Sequence, residues 1–486
     1  MTTGETRNPR RVLVIGSDGL RPDLITPGTM PNVTTLAGAG VRFAHHHAVY
    51  PTHTRVNMST LTTGSPPGRH GIVANTMLVP DARPDHIIDT SSYEHLDALG
   101  VATGTILMAS AMGDILAERG RRLAVAGTGS SGSNVLWTPN HRARLVNPGS
   151  AFGLADLYDL REKLGEIPPP ATPHLERLDY ATRAVTEIFL PDPDNQVIVL
   201  WFAEPDSSLH RYGLGSPESI VAMKEVDACV GRLLDTLDRM GIRDQVDVVF
   251  MSDHGHSTIR SHNTLRDYLN VAEREIGRPL PPLATASDYI YPQPGTDIPG
   301  AESLAPLVDW LYAQSWCDVV FGGTGELSGL PGVIPLQHLW GGFTNDRAPL
   351  LAISPTWTND RNEFGVPGTV QALTTQSALK SSHGSASPWD LHATLIARGP
   401  SFAEGITSDI PTGAIDLAPT ILSLLGIPMP ETMSGRVLAE GLRGDGLPPA
   451  AADETVTAMT PAPHGRTPQV LLHHVGPSTY LHGTVH

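Results

Sequence analysis

The chain has 486 residues, and its 33 Lys and Arg against 50 Asp and Glu give a net charge of −17, with lysine at positions 163, 224 and 380 only. This balance excludes a nucleic-acid scaffold, which needs clustered Lys or Arg to neutralise phosphates. It allows a small phosphorylated substrate, because bound metal ions can supply positive charge locally. Cys229 and Cys317 are too few for a disulfide framework. The segment Met1–Arg11 is polar, the apolar run after it is too short for a signal sequence, and no stretch approaches the roughly 20 apolar residues of a membrane span. A cytoplasmic protein is the expectation.

Strand-like and helical stretches alternate along the chain, which predicts an α/β fold with a mostly parallel sheet covered on both faces. Strands are expected over 11–16, 41–49, 122–127, 196–203, 245–252 and 393–398. Helices are expected over Ala111–Arg119, Leu178–Phe189, Pro217–Met240 and Leu417–Leu425. Ser216 is placed to cap the third helix, with Pro217 at its first position, and Ile220, Met223, Val226, Val230, Leu233 and Leu234 form its core stripe. Cys229, in the same helix, reads as a small buried hydrophobe. Between 260 and 380 prolines and tryptophans interrupt the alternation. The expected organisation is therefore a discontinuous core, 1–260 and 381–445, an inserted cap over 261–380, and a linker with a C-terminal tail over 446–486. Within the last, the Gly-, Pro- and Ala-rich residues 442–453 read as linker.

Three apolar runs end just before a carboxylate: Val12–Ser17 before Asp18, Val197–Phe202 before Asp206, and Val246–Met251 before Asp253. Open α/β sheets build their sites at the carboxyl ends of strands. Asp206 and His210 are four residues apart, on one face if the segment turns helically. Asp253-His254-Gly255 adds a second Asp–His pair, and His383-Gly384 a further imidazole. Carboxylate with imidazole suits zinc or manganese better than magnesium. Each piece alone has a plainer reading, a surface helix pair or a turn; their repetition at strand ends favours a two-metal phosphoryl-transfer site. Thr54 opens a helical stretch that runs to Thr63. It reads either as an N-cap or as a nucleophile beside the positive end of the helix, and both can hold.

The strings Ser17-Asp18-Gly19-Leu20-Arg21-Pro22-Asp23, Pro51-Thr52-His53-Thr54-Arg55-Val56-Asn57, Thr63–Asn75, Glu204–His210, Ser252–Gly255, His383-Gly384 and Ile415–Leu422 resemble, in this order, the alkaline phosphatase superfamily. The resemblance is strongest to its nucleotide pyrophosphatase/phosphodiesterase branch. It covers roughly 11–258 and 380–440 and implies a three-layer core with an inserted cap. It further implies that Thr54, not Thr52, is the nucleophile, and that Asp18, Asp253 and His254 bind the zinc that activates it. Asp206, His210 and His383 would bind a second zinc, with manganese as the alternative cation. Asn75 and the Thr54 N–H would hold a nonbridging phosphate oxygen. The implied reaction passes through phospho-Thr54, and an asparagine beside the phosphate, where an arginine could stand, favours a singly charged diester.

Other histidines read differently. The tract His45-His46-His47 lies in an expected strand and points to alternate faces. His70 reads as structural. His256, His262 and His392 lie near the assigned ligands, with His392 the residue to exchange for His383 if one ligand is misassigned. His473, His474, His482 and His486 in the tail read as solvated. Arg55 stands where nucleotide-cleaving relatives place an apolar or aromatic residue, so it is either solvated or a contact for an anionic part of the substrate. The segment Ala124–Asn134 lacks the lysines of the related phosphonoacetate hydrolases, which makes carbon–phosphorus cleavage the runner-up. A non-catalytic metal-binding protein is the remaining alternative. Sulfatase chemistry is disfavoured because it needs Cys or Ser where Thr54 stands.

Overall fold

The structure is a computed structural model and describes residues 10–147, 162–323, 327, 329–374, 376–444, 452–458 and 463–485. Its centre is an eight-stranded sheet. The strands are β1 (Arg11–Ser17), β2 (Val41–Phe43), β3 (Arg122–Gly127), β4 (Arg144–Val146), β5 (Asn195–Phe202), β6 (Val246–Met251), β7 (Leu395–Arg398) and β8 (Ile406–Ser408). They lie in the order β8-β2-β7-β6-β1-β5-β3-β4. Only β7 runs against the others.

Side chains alternate across this sheet, as the two-residue period of a strand dictates. Val12, Val14, Val197, Val199, Trp201, Val249 and Met251 enter one core layer. Leu13, Ile15, Ile198, Leu200, Phe202, Val248 and Phe250 enter the other. Helices Thr54–Thr63, Tyr93–Thr103, Met112–Glu118 and Leu417–Leu424 cover the first face. Helices Pro31–Ala39, Leu175–Arg183 and Pro217–Arg239 cover the second. Burying each Val, Leu or Ile side chain contributes roughly 1.5–3 kcal/mol, and the central strands β1, β5 and β6 bury both faces, whereas the outer strand β2 exposes Arg42 between Val41 and Phe43.

Ser216 caps the long helix by accepting the Ser219 N–H, as its sequence indicates, and Met223, Val226, Cys229, Val230 and Leu233 are buried. The expected strand 41–49 divides into β2 and the short strand His46-His47, with a turn between them. The second piece joins a three-stranded sheet with His392-Ala393 and Thr412-Gly413. The expected helix over 178–189 starts at Leu175 and widens into a π-helical turn over Ala184–Phe189.

Within 261–380, a five-stranded sheet packs with helices Leu265–Ile276 and Ala301–Ala313 around a third apolar cluster. Strand Ser257–His262 pairs with Pro367–Ala372 and Ser381-Ser382, so a second sheet crosses both ends of this segment. The linker expected over 442–453 lies largely outside the described residues. Beyond it, strands Ala452–Ala458, Gln469–Val475 and Ser478–Val485 form an antiparallel sheet. Val470, Leu472, Tyr480 and Leu481 of these strands are buried. The last strand returns to the core through Thr484 N–H on Ala386 O (3.2 Å) and Tyr480 OH on Asp416 (2.8 Å). Among the described residues, no helix is long and apolar enough to cross a membrane.

Candidate metal and catalytic site

The strand order explains why three distant carboxylates meet. β1 lies between β6 and β5, and the registers Ser17↔Phe202 and Gly16↔Met251 end all three strands at one level. Asp18 N–H donates to Phe202 O (2.9 Å), and Asp206 N–H to Asp18 O (3.0 Å). Gly19 turns the chain after Asp18 with φ +68°, and a Cβ there would stand 3.0–3.1 Å from His256 and Asp206. Its N–H donates to Asp253 Oδ1 (3.2 Å). Asp206 begins a short helix whose next turn carries His210.

Two groups of side chains form. In the first, His254 Nε2 lies 3.1 Å from Thr54 Oγ1, 3.3 Å from Asp18 Oδ1 and 3.4 Å from Asp253 Oδ2. In the second, Asp206 Oδ1 lies 3.4 Å from His210 Nε2, 3.5 Å from His383 Nε2 and 3.0 Å from His256 Nε2. Tetrahedral ligands at 2.0–2.1 Å from a zinc ion stand ~3.3 Å apart, which both groups approach. The rings of His254 and His383 stack at 3.7 Å, so the groups adjoin. They contain every ligand position assigned from the sequence.

The donor sets fit divalent cations. Among the described residues, Asp18 Oδ1 and Asp253 Oδ2 are buried without a hydrogen-bond partner, a costly arrangement for a carboxylate unless something positive sits against it. Burial, then the neighbouring charge of Asp18, push Asp253 well above the usual carboxylate range. Burial, then Asp206, raise Asp18. Burial opposes a charge on His254, yet the neighbouring carboxyls of Asp253 and Asp18, 3.4 and 3.3 Å from its Nε2, lift it to about 10. Burial raises Asp206, but His210, the His256 hydrogen bond and His383 hold it well below the usual range.

Three imidazoles are held in one orientation by backbone carbonyls. The Nδ1–H groups of His210, His383 and His254 donate to Ser381 O (2.7 Å), Thr52 O (2.7 Å) and Gly255 O (2.8 Å). Metal-binding histidines are commonly held this way, with the second nitrogen aimed at the ion. His256 differs. Its Nδ1 is buried without a hydrogen-bond partner among the described residues, and its Nε2 serves Asp206. It therefore reads as orienting Asp206 and was not assigned from the sequence, where only its position two residues after His254 marks it. His392 lies elsewhere, paired with His47. His70 is buried between Thr60 Oγ1 (3.0 Å) and the Ile72 N–H (3.2 Å). His262 donates to Leu379 O.

Thr54 is the first residue of helix Thr54–Thr63, and the capping position is His53, which makes no side-chain cap bond. The N-cap reading of Thr54 thus gives way to a hydroxyl aimed at His254. Asn57 pins the preceding loop by accepting the Val49 N–H (2.8 Å) and donating to His53 O (3.1 Å). Thr52 accepts the Gly384 N–H (2.8 Å) and donates to Ser385 O (3.0 Å), tying the Thr54 loop to the His383 loop. Gly384 has φ +120°, and a Cβ there would lie 2.6 Å from His53 Nε2.

These residues open into a cleft of about 890 Å³ lined by Thr54, Arg55, Asn75, Asp206, His210 and His383 among others. Asn75 Oδ1 accepts the Arg55 N–H (3.2 Å), and the Asn75 N–H donates to His53 Nδ1 (3.2 Å). Arg55 is half-buried rather than solvated, and its Nε has no hydrogen-bond partner among the described residues. Burial lowers its guanidinium pKa against the pull of Asp18, Asp89, Asp206 and Asp253. Asp288, another cleft residue absent from the sequence assignment, is pushed up to about 7 by burial.

The fold is a three-layer α/β architecture with a mostly parallel sheet and its cleft at the carboxyl ends of adjacent strands. The chain belongs to the type I phosphodiesterase/nucleotide pyrophosphatase family, whose model matches residues 12–300. It is 29% identical over 257 residues to an uncharacterized pyrophosphatase/phosphodiesterase of Schizosaccharomyces pombe, covering 50% of this chain and 44% of that protein. It is 26% identical over 248 residues to the bis(5'-adenosyl)-triphosphatase of Xenopus laevis, covering 50% and 47%. Ectonucleotide pyrophosphatase/phosphodiesterase family member 7 of Homo sapiens is 25% identical over 258 residues, 51% of this chain and 48% of the human one. The chain thus matches about half the length of these relatives. Murine ectonucleotide pyrophosphatase/phosphodiesterase 5 shares the fold. Its inactive form in complex with AMP aligns with a TM-score of 0.60 at 20% identity, over 87% of this chain and 96% of the murine one.

Proposed function

We propose that this protein hydrolyses a phosphodiester or phosphoanhydride through a phospho-Thr54 intermediate, with two divalent cations, zinc by ligand type, held by Asp18/Asp253/His254 and by Asp206/His210/His383. The observation that carries this reading is the meeting of both ligand groups beside the Thr54 hydroxyl, 3.1 Å from His254 Nε2. Bound cations would acidify hydroxyl groups at the site and offset charge on the departing oxygen. Thr54 Oγ1 gives up its proton to solvent and attacks phosphorus as the bond to the leaving oxygen breaks, that oxygen taking a proton from solvent. Water then bonds to phosphorus, the Thr54–phosphorus bond breaks, and a proton from that water restores the Thr54 hydroxyl. The Thr54 N–H, at the amino end of its helix, and Asn75 hold a nonbridging oxygen. Arg55 lines the same cleft and contacts an anionic part of the substrate. The activities named for the relatives, and AMP in the murine structure, support nucleotide diesters as first substrates.

The test compares zinc-loaded protein on bis-p-nitrophenyl phosphate and p-nitrophenyl phosphate, with Thr54→Ala as control. Much faster diester cleavage, abolished by the substitution, is expected. Monoester preference, or no activity on either, would overturn the diesterase reading and direct the search to phosphonates. Arg55→Ala should raise KM about tenfold for substrates carrying an extra negative charge, and not for neutral-tailed ones; an equal KM across both kinds would remove that contact.

A further inference from the structure

A separate group of imidazoles lies outside the cleft. His47 ends the strand His46-His47, and His392 is its cross-strand partner. His482 comes from the last strand of the C-terminal sheet. His47 Nε2 stands 3.1 Å from His482 Nδ1, and His392 Nε2 stands 3.3 Å from that same atom. The three ring nitrogens all lie within 4.8 Å of one another. None of the three residues lines the cleft, and the tail histidine that the sequence leaves to solvent is half-buried here. His474 is likewise half-buried, and His486 lies outside the described residues.

Protonation makes this meeting informative. His47 Nδ1 faces Thr412 O at 3.0 Å. A carbonyl only accepts, so Nδ1 carries the proton and Nε2 turns a lone pair toward the other two rings. One proton on His482 Nδ1 cannot bond well to both His47 Nε2 and His392 Nε2, whereas one cation can take a lone pair from all three. The 3.1 and 3.3 Å spacings match the ~3.3 Å edge of a tetrahedron built on zinc–nitrogen bonds of 2.0–2.1 Å. The backbone carbonyl on His47 Nδ1 is the same device that orients the cleft histidines. A fourth ring, His473, stacks on His482 at 4.7 Å and stands 5.7 Å from His47.

We propose that His47, His392 and His482 form a third metal site, for zinc or another imidazole-preferring divalent transition-metal ion, that fastens the C-terminal sheet to the core. The ion would join three segments: the strand before the Thr54 loop, the residues after the His383 loop, and the final strand. That strand already rests on the 386–388 turn, with Thr484 N–H on Ala386 O and Gly483 close against Pro388.

The experiment loads full-length protein with zinc, removes excess by gel filtration and measures bound metal. Three equivalents per chain are expected, falling to two in His482→Gln and, separately, in His392→Gln. The double variant Asp206→Asn/Asp253→Asn, which disables the cleft groups, should keep one equivalent. Cobalt loaded into that variant should give the visible absorption of a tetrahedral nitrogen-ligated ion. Zinc loss in His482→Gln with a native circular dichroism spectrum separates ligand loss from unfolding, and His392→Gln repeats the test from the core side. Equal zinc in wild type and both histidine variants, or no zinc in the Asp206/Asp253 variant, would overturn the third site. Because that variant carries its own readout, failure here is distinct from failure of the diesterase reading.

Discussion

The cleft and the His47/His392/His482 cluster hold similar numbers of imidazoles but differ in what surrounds them. In the cleft, Asp18, Asp206 and Asp253 crowd together, and two of their oxygens are buried with no hydrogen-bond partner among the described residues. Such a group repels itself until a cation arrives. The outer cluster holds no carboxylate among its three members, so its rings can stay neutral, with one proton between His47, His392 and His482 leaving one ring nitrogen poorly served. Burying acids therefore makes the cleft depend on metal, while burying imidazoles makes a site that metal would tighten without being required for folding.

The largest effect expected from this contrast is at Thr54. Thr54→Ala should lower diester hydrolysis by at least about three orders of magnitude with bound zinc unchanged, whereas His482→Gln should leave turnover within about threefold. A fall of less than tenfold for Thr54→Ala would remove it as nucleophile. Next is Asp253→Asn, expected to lose one zinc equivalent and yet, under chelator, to unfold at higher denaturant than wild type, by on the order of 1 kcal/mol, because one buried charge is gone. Lower stability than chelated wild type would contradict the repulsion argument. His256→Ala should weaken zinc at the Asp206/His210/His383 group by roughly 10–100-fold, as loss of a residue that orients a ligand does. Chelator competition measures this, and unchanged affinity would leave His256 a packing residue.

A further effect, visible only as a pH slope, concerns His70, which belongs to neither cluster. Burial, then Arg347, bring it down to about 3. A base lowered in the folded state binds its proton only on unfolding, so stability holds above pH 6.5 and falls as pH drops from 6.5 toward 3. Urea unfolding of His70→Gln should show a pH slope shallower than wild type by up to ~1.4 kcal/mol per pH unit over pH 5–6. Parallel slopes would show that His70 takes up its proton while folded.

Much of the cleft was legible because its parts are local. An apolar run of alternating side chains marks a strand, and an acid just past its end marks a position at the sheet's edge, as at Asp18, Asp206 and Asp253. The helix start at Ser216-Pro217 was legible for the same reason. His256 was not, since its role is a hydrogen bond to Asp206 fifty residues earlier. The partial burial of the tail histidines His473, His474 and His482 was not legible, because Val470-Leu471-Leu472 is one short apolar run with no local sign of what it covers.

By itself the sequence determined which residue types stand at strand ends, the alternation that makes both sheet faces apolar, and the family motifs around Thr54. Tertiary structure alone decided that β6, β1 and β5 lie side by side, so that their carboxylates converge. It also decided that His383, pinned by Thr52 O, enters the cleft while His392 turns to His47. The physical reason is range. Periodicity and capping act within a few residues, whereas strand order and the partners of a buried imidazole are set by packing between segments hundreds of residues apart.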